Sequence, residues 1–560
     1  MTIDRQSLRW NGWGPVKQHD PLPDGAPAWT WIADELGLAA PLPRTPAMPL
    51  GDIRLPASRL DAQIRAELER ICGTNQVHTD DYERAFHARG KSYHDLLLLR
   101  AGNLAGAPDA VVYPRSADEC QALVTLAAAR DLVLVPYGGG SSVVGGVTGR
   151  EDNQTRASIT VDMTHMSSLL AVDETAMTAT AQAGIYGPAL DRALAEHGVR
   201  LGHYPQSFEY STLGGWIAAR GAGQNSNRYG KAEKWLVSAR VATPAGPWQT
   251  EATPASAAGP NLNQLLAGSE GTLGLITEAT FRLHEVPEVE DYRGFMFRTF
   301  EEGVDVIRRI VQAEIPVAML RLSDADETRF FRTLSSASHE KGLKDRLADA
   351  FLKWKGLDRR PCVMLTGLEG DAATVSYARD RVARIAAAGG GTHVGRSPGT
   401  RWKEGRYHGP MVRDPMLDHG LGVDTLETST FWSNIETLHA RVREAISDTM
   451  KSTLPAGQRG IVMAHVSHSY LDGASLYFTF VFPRRLDDGL DGEVAQWLEI
   501  KRAASDAILA HGGTISHHHG VGADHAPWLA QEKGPRGMDV LRAVKTALDP
   551  NGVMNPGKLL

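Results

Sequence analysis

Cysteine is scarce, with 3 in 560 residues. Cys72, Cys120 and Cys362 lie far apart and form no CxxC pair, which excludes a disulfide framework and a zinc knuckle and makes a reducing compartment the expectation. Long apolar runs are lacking too, since none approaches the roughly 18 residues of a membrane span. The start, Met1-Thr2-Ile3-Asp4-Arg5, leads to Trp10-Asn11-Gly12-Trp13-Gly14 and not to an apolar leader core; a cytoplasmic protein without a cleaved leader is expected. Charge of one sign is also missing: Lys plus Arg at 59 against Asp plus Glu at 66 leaves −7, which argues against a chain-wide nucleic-acid surface. No short-period repeat occurs, so a solenoid is excluded. What is present, 42% hydrophobic and 22% charged residues, suffices for several hydrophobic cores.

Proline is frequent between positions 21 and 56, and 60–71 reads as a helix, so residues 1–99 are expected to form an arm carrying little chemistry. A first module, 100–286, opens with a strand over 110–113, an amphipathic helix over 116–130 and a strand over 132–136. Further β-type runs follow at 158–163, 176–183 and 237–243, with a helix near 188–197. A second module, 287–500, shows strands at 294–297, 317–322, 363–369 and 392–394 and helices at 300–313 and 372–388, which predicts helices against an antiparallel sheet. Residues 501–560 form a C-terminal segment. The fold class is α+β.

Chemistry concentrates in three segments rich in small residues. The first runs from Pro136 and Tyr137 through Gly138, Gly139, Gly140, Ser141 and Ser142 to Gly145 and Gly146. Its glycines let several backbone N–H groups face one anion. It fits neither GxxxxGK[ST] nor GxGxxG, so a pyrophosphate held by backbone is favoured over nucleotide hydrolysis or a Rossmann site. A ligand-free glycine turn is the plain alternative for such a loop taken alone. The second segment holds Pro205, Gln206, Ser207, Ser211, Thr212, Gly214 and Gly215, then Ala219, Arg220 and Gly223; the third holds Glu270, Gly271, Gly274 and Ile276.

As a set these three segments resemble the PCMH-type FAD-binding domain of the vanillyl-alcohol oxidase flavoproteins, in which the glycine loop holds the FAD pyrophosphate and the other two line the cofactor. The resemblance implies that fold for 100–286, a second α+β substrate or cap domain on an antiparallel sheet, and a C-terminal segment returning to the flavin. Covalently flavinylated relatives carry a His or Cys in or near these loops; Ser141 and Ser142 stand here, so non-covalent FAD is implied. The Trp10 to Gly14 run, the 211–216 run and Ser516-His517-His518-His519-Gly520-Val521-Gly522 resemble the alkylglycerone-phosphate synthase branch over nearly the whole chain. That branch exchanges the acyl group of acyl-dihydroxyacetone phosphate for a long-chain alcohol in ether-lipid synthesis, using FAD without net redox change. The resemblance places its catalytic tyrosine on Tyr477, its active-site arginines on Arg413 and Arg321, its histidine run on His517, His518 and His519, and a histidine near the flavin on His203. It also implies a homodimer and a lipid-like substrate. Such chemistry asks for a base, an acid and cationic forks for a phosphate. Taken singly, Tyr477 also reads as a core or interface tyrosine, Arg321 and Arg413 as ion-paired surface arginines, and the triple histidine as a metal cluster or a solvated turn.

The rival reading is a flavin dehydrogenase of 2-hydroxy acids, of the D-lactate and glycolate type, whose ending resembles residues 549–559. Those enzymes carry HxGDGNxH and Glu-His-Gly motifs. Here Tyr477 stands where the second metal histidine would fall and His518 where the Glu would be, so no metal is expected. His465 and His468 would point to opposite faces of a strand, a poor chelate. Finally, Leu343, Leu347, Phe351 and Trp354 recur at helical spacing within 341–355. This stretch is expected to be either a helix facing its own core or a membrane-facing lid making peripheral contact with lipid.

Overall fold

The computed structural model describes residues 5–17, 22–149, 155–337, 350 and 352–560. In chain order, β1 (Val77–His78), β2 (Ala110–Val112), β3 (Val133–Tyr137) and β4 (Ser158–Asp162) build a four-stranded sheet of order β1-β2-β4-β3. β2 and β3 run parallel to β4. The helix Ala117–Arg130 links β2 to β3; Ser116 caps its start by accepting from the N–H of Glu119, and Asp131 ends it in the left-handed conformation. Its buried Leu123, Val124 and Ala127 pack on Leu134, Ile159 and Val161.

β5 (Leu169–Asp173), β6 (Thr178–Gln182), β8 (Leu236–Thr243), β9 (Gly246–Gln249) and β10 (Leu275–Arg282) form a second sheet of order β5-β6-β10-β8-β9, while β7 (Val199–Arg200) pairs with β11 (His284–Glu285). These two layers carry all three small-residue segments.

The second domain is one seven-stranded sheet of β12 (Val289–Phe297), β13 (Met319–Ser323), β14 (Cys362–Gly370), β15 (Thr392–His393), β16 (Leu421–Phe431), β17 (Ile461–Ser469) and β18 (Gly473–Pro483), in the order β15-β12-β14-β13-β17-β18-β16. Every pairing is antiparallel. Strand periodicity then sorts the side chains. Leu320, Leu322, Leu426, Ala464, Val466, Leu476, Phe478, Phe480 and Phe482 face a core shared with the helices Phe300–Gln312, Ile435–Thr453 and Gly489–Ala510. The alternate residues Met319, Arg321, Val423, Thr425, Met463, His465, Tyr477, Thr479 and Val481 face a cavity against the first domain. One face of the sheet is thus structural and the other chemical.

The expected boundaries shift in two places. Residues 1–99 are not a separate arm: β1 joins the first sheet, the helix Ala62–Cys72 buries Leu68 and Cys72 in the first domain, and Leu96, Leu97 and Leu99 enter the core of the second. The boundary at 500 falls inside the helix Gly489–Ala510. The chain end also returns to the first domain, where Met554 bridges to Leu134. The domains are pinned by Glu369 of β14. It accepts from Asn225 Nδ2 at 2.9 Å, from Tyr292 Oη at 2.7 Å and Tyr229 Oη at 2.8 Å, and closely from the Arg200 guanidinium. Among the described residues no helix is long and apolar enough to cross a membrane.

Candidate active site

A cavity of about 390 Å³ lies between the domains. Its first wall is the three small-residue segments. Pro136, Gly138, Gly139, Gly140, Ser141 and Ser142 line it, as do Pro205, Gln206, Ser207, Ser211, Thr212, Gly214, Gly215 and Ala219, and Glu270, Gly271, Gly274 and Ile276. The segments touch backbone to backbone. A Cβ on Gly139 would sit 1.7 Å from the Tyr210 carbonyl oxygen, and one on Gly271 would sit 2.6 Å from the Pro136 ring. Thr212 caps the helix Leu213–Ala218 by accepting from Gly215 N–H at 3.4 Å, which turns the second segment across the glycine loop.

Two of the expected cofactor contacts fall elsewhere. Arg220 and Gly223 do not line the cavity: the Arg220 guanidinium donates to Gln264 Oε1 at 2.6 Å and to the Ala267 carbonyl at 3.2 Å, and Gly223 packs on the Tyr204 backbone.

This wall fits FAD on its own evidence. Among the described residues the N–H groups of Gly139, Gly140, Ser141 and Ser142 donate to no protein acceptor, although they border the cavity. Such a run of bare donors suits an anion. His203 supplies another. Its Nδ1 accepts from Trp235 Nε1 at 3.2 Å, which leaves the proton on Nε2, and that nitrogen is buried without a protein partner. Burial among Trp216 and Trp235 pushes its pKa down to about 3, so the ring is neutral and its Nε2–H is a fixed donor. No cysteine lines the cavity.

The N-terminal run, expected to carry little chemistry, closes the cradle from below. Arg5 donates to the Gly138 carbonyl at 3.0 Å and pairs closely with buried Asp162. Trp13 lines the cavity while its N–H donates to Asp414 Oδ2 at 2.9 Å. A Cβ on Gly12 would overlap that carboxylate at 2.3 Å, which explains the glycine in Trp10-Asn11-Gly12-Trp13-Gly14.

The second wall is the chemical face of the large sheet. Arg321 of β13 donates to His465 Nε2 at 2.9 Å and to Glu327 Oε1 at 3.1 Å, and His465 Nδ1 lies 2.8 Å from the same oxygen. Glu327 is placed by Asp324, which caps the helix Ala325–Ala337 by accepting from Glu327 N–H at 2.8 Å. Burial opposes ionisation of Glu327, but His465 and Arg321 together hold its pKa down to about 2. The His465 ring stacks on Tyr477 at 4.9 Å. Burial raises the Tyr477 phenol above its ordinary value, against the pull of a hydrogen bond from Thr425 and the charge of Arg413. Arg413 is anchored by donating to the Lys91 carbonyl at 3.0 Å and borders the same cavity.

The C-terminal loop brings His518 and His519 to this face, with rings 6.1 and 5.4 Å from Tyr477. His517 stands behind them and does not line the cavity: its Nε2 lies 2.6 Å from Tyr470 Oη and its Nδ1 3.0 Å from His518 Nδ1. His468 corrects the strand argument. A register shift between Val466 and Ser469 turns it to the same face as His465, and one ring nitrogen from each of His468, His517 and His518 lies within 4.8 Å of the others. Burial lowers the pKa values of His468, His517 and His519 well below the ordinary histidine range, so these rings are neutral near pH 7.

Sequence reasoning missed Trp13 and Glu327 and the apolar flank of Met319, Phe330, Phe331, Met416, Met463 and Val481, as well as Glu427, which lies behind the cavity wall and accepts from the backbone N–H groups of His517, His518 and His519. The odd positions of the large sheet carry much of that flank, but only the strand pairing reveals which odd positions share a wall. The stretch 338–349 and residue 351, which hold most of the expected amphipathic segment, lie outside the described residues.

This pairing of a bare-donor glycine cradle with an antiparallel sheet defines an FAD-linked flavoprotein. Residues 108–250 match the FAD binding domain family and residues 286–559 the family of FAD linked oxidases, C-terminal domain. The solved p-cresol methylhydroxylase shares the fold, with a TM-score of 0.68 at 14% identity over 90% of this chain and 98% of that one. More specifically, the chain is 35% identical to the alkyldihydroxyacetonephosphate synthase of Dictyostelium discoideum over 99% of its own length and 94% of the relative's. A solved alkyldihydroxyacetonephosphate synthase superposes with a TM-score of 0.83 at 32% identity, over 99% of this chain and 98% of that one. The chain belongs to the alkyldihydroxyacetonephosphate synthase family, and its cofactor is FAD.

Proposed function

We propose that this protein exchanges the acyl group of acyl-dihydroxyacetone phosphate for a long-chain alcohol, forming an ether lipid and releasing a fatty acid without net redox change. The observation that carries this reading is a single cavity with two unlike flanks. One is polar, with Tyr477, Arg321, Arg413, His518 and His519; the other is apolar, with Met319, Phe330, Met416 and Met463. A phosphorylated head and an alkyl chain need such a pair, whereas a small 2-hydroxy acid would leave the apolar flank without a partner.

The glycine cradle and the Nε2–H of His203 would hold FAD, which supplies the ring system beside which the glycerone carbon reacts. Tyr477 keeps its proton near neutral pH, so its Oη–H serves as a positioned donor; the neutral His519, with His518 beside it, accepts a proton released from the substrate carbon. Arg321, kept straight by Glu327 and His465, and Arg413, kept straight by the Lys91 carbonyl, hold the phosphate or the departing carboxylate. His517 acts one step back, through its contact with His518. The three proton carriers and both cationic groups would thus sit around one reacting centre.

Phe331 both borders the cavity and is 48% exposed, which gives the apolar flank an outlet. We place this mouth at a lipid surface, on a cytoplasmic homodimer. Incubation of the FAD-loaded protein with palmitoyl-dihydroxyacetone phosphate and hexadecanol should yield hexadecyl ether product and free palmitate in equal amounts. Oxidation of a 2-hydroxy acid with no ether product would favour the dehydrogenase reading instead.

A further inference from the structure

The loop that carries the histidines has an unusual internal arrangement. The backbone N–H groups of His517, His518 and His519 all donate to the carboxylate of Glu427, at 2.6, 3.0 and 2.8 Å, and Ser516 Oγ donates to it at 2.8 Å. Two residues on, the N–H groups of Val521 and Gly522 donate to Glu270, the latter at 2.7 Å. Five N–H groups of one short loop therefore converge on two carboxylates. A run of convergent N–H groups is an anion nest, and here the protein fills it with its own side chains, one from each domain. Glu427 comes from β16 of the second domain, and Glu270 from the third cofactor segment of the first.

We infer that Glu427 is the positioning residue of the histidine loop, fixing the His518 and His519 rings against Tyr477 through its charge as well as its reach. The pairing of β16 with β18 sets Glu427 directly opposite Tyr477. Opposite residues of an antiparallel pair point to one face, so the tyrosine and the carboxylate that holds the histidines share one backbone reference. Glu427 is fully buried. Burial opposes its charge, yet the neighbouring His518 and His519 hold its pKa well below the carboxylate range. Its Oε2 lies 3.4 Å from His518 Nδ1 and its Oε1 3.8 Å from His519 Nδ1, so the same charge stands against both rings and favours the protonated form of His519. Lys231 and His468 oppose protonation of His517, and His525 and Lys501 oppose that of His519, while Glu427 supplies the opposite sign to both.

This inference rests on the reading that His518 and His519 carry protons, so the experiment separates the two. Glu427→Gln keeps the shape, loses the charge and turns an amide N–H₂ against the loop donors. Glu427→Asp keeps the charge and withdraws it by one methylene. His518→Ala and His519→Ala test the underlying reading. All four are made in the FAD-loaded enzyme, and ether formation is followed from pH 5 to 9 alongside the flavin absorbance.

The expected result is a loss of turnover of about 100-fold in Glu427→Gln, the size expected when reacting groups are displaced by about 1 Å, with flavin binding retained and the acid limb of the profile moved to lower pH. Glu427→Asp should lose turnover while keeping the acid limb in place. Wild-type turnover and an unmoved acid limb in Glu427→Gln, with the histidine variants inactive, would overturn the inference alone. Full activity in the histidine variants would overturn the reading beneath it. If Glu427→Gln fails to load FAD, wild-type turnover in Glu427→Asp, or an acid limb there that moves to lower pH, also overturns the inference.

Discussion

The backbone contact between the glycine loop and the second cofactor segment makes a sharp prediction at Gly139. Replacing it by alanine puts a Cβ 1.7 Å from the Tyr210 carbonyl oxygen and 3.0 Å from Ser211 Cα. Because a side-chain carbon is not found within 3.0 Å of such an atom, the segments must part by at least 3.0 − 1.7 = 1.3 Å. The obstacle is backbone on both sides, so no rotamer change relieves it. Overpacking of this kind is destabilising by about 1–3 kcal/mol. The bare N–H groups that border the cavity, and that would face the cofactor, lie on the loop being displaced, so the same energy would be lost from binding, weakening the FAD dissociation constant by about 5- to 150-fold. The assay is titration of apoprotein with FAD, read by quenching of flavin fluorescence. Gly51→Ala is the control, since a Cβ there meets nothing within 4 Å. Gly139→Ala binding FAD as tightly as Gly51→Ala would refute the placement of the cofactor between these two segments.

Tyr477→Phe should keep the flavin spectrum and lose about 10²- to 10⁴-fold in ether formation, the usual worth of a positioned proton donor; retention of full turnover would remove Tyr477 from the chemistry. Phe331→Glu places a charge at the outlet of the apolar flank, and should raise the KM for hexadecanol far more than that for a short alcohol, with equal effects on both arguing against an alkyl channel there. Burial, opposed by the N–H groups of Gly522 and Val521, raises the Glu270 carboxyl to about 7 from an ordinary 4.5. A carboxyl raised on folding favours the folded state most at low pH, so this contribution fades as pH rises from about 4.5 through 7, by at most about 3 kcal/mol. Urea midpoints measured at pH 5 and 8 should therefore differ less in Glu270→Gln than in wild type, and an unchanged difference would contradict the assignment.

The small-residue wall of the cavity was legible because its requirement is local: a backbone that must approach a ligand closely needs glycine, serine and threonine in runs, and the runs at 136–146, 205–223 and 268–277 are contiguous in sequence. Tyr477 and the histidines were legible through family resemblance, and the strand around Tyr477 through its alternation with Leu476, Phe478 and Phe480. What failed depended on distant partners. Trp13 reaches the cavity because Asp414, some four hundred residues on, accepts from its backbone. Glu427 was missed because its partnership with Tyr477 is a matter of strand pairing, which one sequence does not specify. His468 was misplaced because a register shift breaks the period-two rule at that point, and Arg220 because Gln264 and the Ala267 carbonyl claim its guanidinium first.

The most direct test of the central claim is the anaerobic visible spectrum of the FAD-loaded protein during turnover with palmitoyl-dihydroxyacetone phosphate and hexadecanol, with product analysis from the same cuvette. Exchange without net redox predicts that ether lipid and palmitate accumulate over many turnovers while the flavin returns to its oxidised spectrum when substrate is exhausted. Flavin that ends reduced in proportion to substrate consumed, with no ether lipid, would contradict it.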